Sequence, residues 1–212
     1  MNMNKLKLLQ KRIIDISYKH KSSHLGSCLS ALPIILEIYE KKEENDIFVL
    51  SNGHAGLALY VVLEQFYGYD AEVLFEKFGV HPEHDLNYKI YCTGGSLGHG
   101  ITVGVGYALA DKNRKTYVLL SDGECAEGSV WESLKFIYEN KINNIELYLN
   151  ANGVSAISFL DLPYLESCLK AFNPHINIRY TNVEVFSFLK GLEAHYKVMS
   201  EENYKQALNE LQ

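Results

Sequence analysis

Thr116-Tyr117-Val118-Leu119-Leu120-Ser121-Asp122-Gly123-Glu124 opens the stretch that decides the fold, and Ile145-Glu146-Leu147-Tyr148-Leu149-Asn150-Ala151-Asn152-Gly153 closes it. Each segment begins with a short apolar and aromatic run and stops at turn formers, so each reads as a strand. A helical pattern lies between them. The unit is therefore strand–helix–strand, expected as a right-handed parallel crossover. Strands joined in this way end at the same edge of the sheet. Asp122 and Asn152 then fall at neighbouring carboxyl ends, where open α/β sheets bind ligands. A carboxylate and an amide carbonyl are hard oxygens suited to Mg²⁺ or Ca²⁺, and Mg²⁺ commonly completes its shell from a phosphate ligand. Asp-Gly and Asn-Gly are each ordinary turns when taken singly; their pairing on consecutive strand ends is what singles them out.

The same alternation extends outward in both directions. Apolar residues at 6, 8, 9, 13, 14 and 16 predict a helix over 6–18. A polar loop follows over 19–30, with Ser30 placed to cap a helix over 31–41 and Pro33 in its first turn. A buried strand is expected over 46–50, helices over 55–66 and 71–78, a loop over 79–87, and a short strand or extended segment over 88–92. The glycine-rich loop 93–100 leads into a helix over 101–112, where Gly104 and Gly106 imply close packing or close ligand approach. Beyond the central unit the pattern predicts a helix over 162–171, strands over 176–180 and 183–186, a segment of different mobility over 187–199, and a last helix over 204–211. Helices alternating with short apolar strands give an α/β fold, an open parallel sheet covered by helices, in one domain over 1–212.

Composition narrows the function classes. The chain has 212 residues, nearly half of them hydrophobic, enough for a real core. Its net charge of −6 leaves no basic excess to track phosphates along a groove, so nucleic-acid binding is not expected. Cys28, Cys92, Cys125 and Cys168 are scattered without C-x-x-C spacing, which fits a reducing cytoplasm. No run of about 18 apolar residues occurs, so no membrane span is expected, and the start of the chain is polar and basic without an apolar signal core.

Four further loops place a histidine beside a predicted element end, at His24, His54, His81 and His99. Singly each reads as a surface or capping residue; gathered on one sheet edge they would move protons near neutral pH. The glycine-rich loop before residue 101 also meets a helix N-terminus, which favours an anionic group such as a phosphate. A competing pattern is Gly94-Gly95-Ser96-Leu97-Gly98, a G-x-S-x-G match followed in order by Asp122 and His195, as in a serine hydrolase using Ser96. It lacks a preceding His-Gly-Gly segment and leaves the Asp-Gly and Asn-Gly pair unexplained.

Taken together, these blocks resemble the N-terminal, diphosphate-binding half of transketolase, a thiamine diphosphate enzyme. Ser121-Asp122-Gly123, with Asn152 thirty residues after Asp122, is similar to the family's Gly-Asp-Gly…Asn segment. More specific are Ser23-His24-Leu25-Gly26-Ser27, Leu50-Ser51-Asn52-Gly53-His54-Ala55, His81-Pro82-Glu83, and Thr93-Gly94-Gly95-Ser96-Leu97-Gly98-His99-Gly100. The resemblance implies that Asp122, Asn152 and the Val154 carbonyl hold Mg²⁺, and that the Gly123 amide meets the diphosphate. It places His54 near the diphosphate, and Gly95 and Leu97 against the cofactor rings. It gives His24 and His81 to the donor sugar's reacting end, Glu127 to a subunit interface, and His195 to the diphosphate and proton transfer.

The departures matter as much. Ser121 replaces the first glycine, and Ser155-Ala156-Ile157-Ser158 stands where the family has Ile-Asp-Gly, which implies a short, remodelled loop. Full transketolases carry two further domains, one of which binds the aminopyrimidine and activates the cofactor. The expectation is therefore a split transketolase. A separately encoded C-terminal subunit would carry the pyrimidine domain, and two copies of each chain would assemble as a homodimer of heterodimers. Its reaction would pass a two-carbon ketol unit from a ketose or ketose phosphate to an aldose. The alternatives are a split thiamine enzyme that decarboxylates or transfers acyl groups, the serine hydrolase, and a non-catalytic subunit that kept the fold.

Overall fold

The computed structural model describes residues 2–212. Four strands, β1 Ile47–Leu50, β2 Thr116–Ser121, β3 Ile145–Ala151 and β4 Asn177–Tyr180, form one sheet in the order β1-β2-β3-β4. Every neighbouring pair is parallel, and Leu119 lies opposite both Leu50 and Tyr148. The sheet is covered on both faces, which is why its central strands read as unbroken apolar runs. Phe48, Leu50, Tyr117, Leu119 and Tyr148 feed one core, packed with residues of α1 Met3–Lys19, α2 Leu25–Lys41, α3 Gly56–Tyr67 and α4 Ala71–Phe78. The alternate residues Ile47, Val49, Val118, Leu120, Leu147 and Leu149 feed the other, under α5 His99–Ala110, α6 Gly128–Glu139 and α7 Leu162–Phe172. The short α8 Glu193–Tyr196 and the final α9 Glu201–Glu210 join the first core through Ala194 and Ala207. Each large side chain buried in these layers contributes roughly 1.5–3 kcal/mol of transfer free energy. The expected fold class is present.

Gly104 shows how tightly the second layer sits: a Cβ there would lie 2.4 Å from Val118 Cγ2. The glycine is there for helix–sheet packing, so the close-packing reading holds at Gly104, while a Cβ on Gly106 would meet nothing within 4 Å.

Several expected boundaries move. Helix α2 begins at Leu25, not near Ala31, so Ser30 lies inside it and Pro33 is well past its first turn. The cause is a buried face made of small residues. A Cβ on Gly26 would sit 2.9 Å from Ala194 Cβ. The Ser30 hydroxyl donates to the Ser27 carbonyl at 3.2 Å and accepts from Asn150 Nδ2 at 3.0 Å. Residues 88–92 form no strand; a 3₁₀ turn, Leu86–Tyr88, and one antiparallel bridge between Asp85 and Ile90 stand there. Residues 183–186 likewise pair with no strand, and Val183 and Phe186 are buried as loop residues of the first core. The stretch 187–199 is packed down by buried Leu189, Ala194, His195 and Met199. Helix α9 starts at Glu201, behind a capping box between Ser200 and Asn203.

Candidate functional site

The carboxyl edge of the sheet is where the loops leaving β1, β2 and β3 meet. They are held by a carboxylate that sequence reasoning missed. Glu124 is fully buried in the 3₁₀ turn Gly123–Ala126. It accepts hydrogen bonds from Ser51 Oγ at 2.6 Å, the Ser121 amide at 2.8 Å, the Gly98 amide at 2.9 Å and Ser121 Oγ at 3.3 Å. One side chain thus ties the end of β1, the end of β2 and the start of α5. Burial pushes its carboxyl above the ordinary range, and these donors pull back. The expected anion at the start of α5 is therefore, at the Gly98 amide, the chain's own carboxylate. Its only signal in the sequence was an acid after Asp-Gly, which reads as a surface turn.

Glycines bring the loops together. A Cβ on Gly53 would lie 2.6 Å from Gly94 Cα and 2.7 Å from the Gly95 nitrogen. The backbones of 51–54 and 93–95 are thus in direct contact, and the Gly94 amide donates to the Pro82 carbonyl at 2.7 Å. This closure places His54, His81, Gly95 and Leu97 side by side.

A cavity of ≈ 350 Å³ opens at this edge. It is lined by His24, His54, His81, Gly95, Leu97, Gly123, Glu127, Asn152, Val154 and His195, all singled out from the sequence. Asp122 lies behind the wall, 2 % exposed. Its Oδ1 accepts from the Gly123 amide at 2.9 Å and its Oδ2 from the Gly153 amide at 2.6 Å. Burial raises its carboxyl to about 6, against the pull of those amides. No cationic side chain pairs with it among the described residues. Asn152 Oδ1 accepts from the Val154 amide at 2.9 Å. Each of these oxygens keeps a lone pair, as does the Val154 carbonyl. A buried carboxylate without a cation, beside an amide oxygen and a backbone carbonyl, is a donor set that fits a divalent cation with a phosphate ligand.

Three of the four loop histidines gather. His24 lies 5.7 Å from His54 and 6.2 Å from His81, ring centre to ring centre. His99 does not join them; it is exposed and faces a separate groove with His84 and Tyr107. His24 occupies a left-handed backbone position, φ 65°, just before α2. Its amide donates to the His195 carbonyl at 2.7 Å and its Nδ1 pairs with Ser23 Oγ at 2.8 Å. A non-glycine residue held at positive φ by such contacts is strained and concentrates at functional positions. Burial and the imidazoles of His81 and His195 lower the His24 pKa; burial first, then the same cluster, lowers that of His54 to about 3.

His195 is buried, and both its ring nitrogens are engaged: Nδ1 with Ser27 Oγ at 2.6 Å and Nε2 with the Val154 carbonyl at 3.0 Å. Glu127 stands exposed at the cavity mouth with no side-chain partner among the described residues. Tyr196, whose hydroxyl donates to the Ala156 carbonyl at 3.0 Å, joins the wall without a role assigned from the sequence, and Ile157 of the remodelled loop joins it 87 % exposed. The hydrolase constellation does not form. Ser96 is exposed outside the cavity lining, Asp122 is bound to backbone amides, and His195 is bound to Ser27 and Val154.

Residues 2–175 match the family described as "Transketolase, thiamine diphosphate binding domain". An apulose-4-phosphate transketolase subunit of Phocaeicola vulgatus is 36% identical over 163 residues, covering 68% of this chain and 58% of that protein. The protein of the same name from Actinobacillus succinogenes is 27% identical over 98% of this chain and 94% of its own length. Its match spans 261 positions, more than this chain's 212 residues, so the relative carries internal segments that this chain lacks. Among solved structures, transketolase from Campylobacter jejuni superposes with a TM-score of 0.80 at 22% identity, and that from Leishmania mexicana with 0.79 at 19%. All of this chain is covered in both, against 43% and 41% of those chains, so it spans under half the length of the solved transketolases. By the match across most of its length, the chain belongs to the transketolase thiamine diphosphate-binding domain family.

Proposed function

We propose that this chain is the diphosphate-binding subunit of a two-chain transketolase that moves a two-carbon ketol unit from a ketose phosphate to an aldose. The observation that carries the proposal is the cavity at the sheet edge. It is lined by His24, His54, His81, Gly95, Leu97, Gly123, Asn152 and Val154, with buried Asp122 behind it. Asp122, Asn152 and the Val154 carbonyl would hold Mg²⁺, or Ca²⁺, and the Gly123 amide the diphosphate. Bound thiamine diphosphate would supply the electron sink that makes the ketose carbon–carbon bond beside the carbonyl cleavable.

The chain's own residues supply orientation and proton handling. His81, exposed, and the free Nε2 of His24 face the cavity as the imidazoles available to a sugar. In cleavage, one takes the proton of the hydroxyl on the departing aldehyde carbon; in the reverse sense, it returns a proton to the acceptor's new hydroxyl. His54, kept neutral by its depressed pKa, would meet the diphosphate as a neutral N–H donor. Gly95 and Leu97 give the cofactor rings a wall without a polar competitor.

The partner would be a C-terminal transketolase subunit carrying the pyrimidine domain, with Glu127 at the contact and two copies of each chain forming a heterotetramer in the cytoplasm. Among the described residues no helix is long and apolar enough to cross a membrane. The names of the Phocaeicola and Actinobacillus relatives make apulose 4-phosphate the first donor to try. The test mixes the purified chain with that partner, thiamine diphosphate and Mg²⁺, and follows aldose formation from ketose phosphates. Ketol transfer by the mixture and by neither chain alone is expected. Turnover of 2-oxo acids in place of ketose phosphates, or activity of this chain alone, would overturn the proposal.

A further inference from the structure

His195 lines the cavity, yet its two ring nitrogens are committed to the protein. The partner of Nε2 fixes the arrangement. Val154 offers only a carbonyl oxygen at 3.0 Å, which accepts and never donates. A neutral ring must therefore carry its proton on Nε2, because the other tautomer would set a lone pair against the carbonyl. Nδ1 is then an acceptor, and the Ser27 hydroxyl 2.6 Å away must donate to it. No neighbouring hydroxyl competes for that position, since Ser27 is 1 % exposed and Ser22 and Ser30 bond to backbone carbonyls of their own. The chain of donors runs from the first turn of α2, through α8, to the backbone after β3.

We infer that Ser27 and His195 form a positioning pair: the Val154 carbonyl selects the Nε2–H tautomer, Ser27 anchors the ring through Nδ1, and His195 aims the Val154 carbonyl. The carbonyl keeps its second lone pair, directed by the first. Where Val154 supplies an oxygen to a divalent cation, a point that rests on the function proposed above, the pair presets that oxygen before the cation arrives, as hydrogen-bonded outer groups do for metal ligands.

Long-range proton–nitrogen correlation NMR on the full, isotope-labelled chain reads the tautomer. The pH is set at about 8, above the ordinary histidine value of about 6.5, and a His195→Asn sample identifies the signal. Wild type should show one protonated nitrogen, Nε2. Ser27→Ala should keep Nε2–H but move the Nδ1 resonance toward that of an acceptor without a donor, and Ser27→Thr, which keeps the hydroxyl, should retain the wild-type pattern. In parallel, Mn²⁺ affinity in the presence of thiamine diphosphate is measured for the chain with its partner subunit. Ser27→Ala should weaken it about 5- to 10-fold, the ordinary effect of one lost buried hydrogen bond. An Nδ1–H signal in wild type, or an Nδ1 resonance that Ser27→Ala leaves unmoved, overturns the inference. A wild type that shows Nε2–H and the expected Ser27→Ala change, yet binds no Mn²⁺, supports the pair and overturns the cation-site reading instead.

Discussion

Replacing Glu124 tests whether one buried carboxylate holds the site's loops together. Alanine removes the acceptor for the Ser51 hydroxyl and for the amides of Ser121 and Gly98. Two backbone N–H groups are then left buried without a partner, at about 1–3 kcal/mol each, and a small cavity opens. Part of this loss is offset because a buried charge is removed. The net expected cost of Glu124→Ala is about 3–5 kcal/mol. Glutamine keeps one oxygen, able to serve Ser51 and Gly98, but sets an NH₂ against the Ser121 amide, so it should cost about 1–3 kcal/mol. Urea denaturation of each variant, read by far-ultraviolet circular dichroism, gives the values. The order alanine worse than glutamine worse than wild type is the expected result. If Glu124→Ala loses less than about 1 kcal/mol, or glutamine proves worse than alanine, the carboxylate does not hold these loops.

Gly53→Ala forces a Cβ within 2.7 Å of the 94–95 backbone, so it should cost about 1–3 kcal/mol by the same denaturation measurement. His54 carries a pKa of about 3 in the folded chain against an ordinary value of about 6.5, so between these the unfolded chain binds more protons. Stability should therefore fall as pH drops from about 6.5 toward 3, by about 2 kcal/mol at pH 5, and urea curves of His54→Gln should lack that part of the pH dependence. Glu127→Ala removes an exposed side chain without a partner in the chain, so stability should change by less than about 0.5 kcal/mol. Its association with the partner subunit, followed by sedimentation velocity, should nonetheless weaken.

The sheet was legible because its chemistry is simple. Strands β2 and β3 are buried on both faces, so their apolar runs needed no periodicity argument, and the turn formers after them marked the ligand edge. Helix α4 ran over its expected span because its stripe is regular and Asp70 caps it. The start of α2 was hidden because its buried face is built from Gly26, Ser27 and Ser30, chosen for close approach and hydrogen bonding rather than for hydrophobicity. Residues 88–92 and 183–186 have strand-like composition but no strand beside them to pair with, so Ile90, Val183 and Phe186 enter the core from loops. For the site, short motifs on separate loops located the cavity wall residue by residue. The groups that fasten those loops, Glu124 and Ser27, were not visible, because their roles depend on partners distant in the chain: Ser51 and Gly98 for one, His195 for the other.

Whether Asp122 and its neighbours hold a divalent cation, and through it thiamine diphosphate, is decided by calorimetric titration of Mg²⁺–thiamine diphosphate. The titration uses the chain assembled with its partner subunit, as wild type and as Asp122→Ala. Wild type should bind saturably, and a chelator should abolish that binding. Asp122→Ala should bind at least about 100-fold more weakly with an unchanged circular dichroism spectrum. Equal affinity in the two proteins would contradict the assignment of Asp122 to the cation.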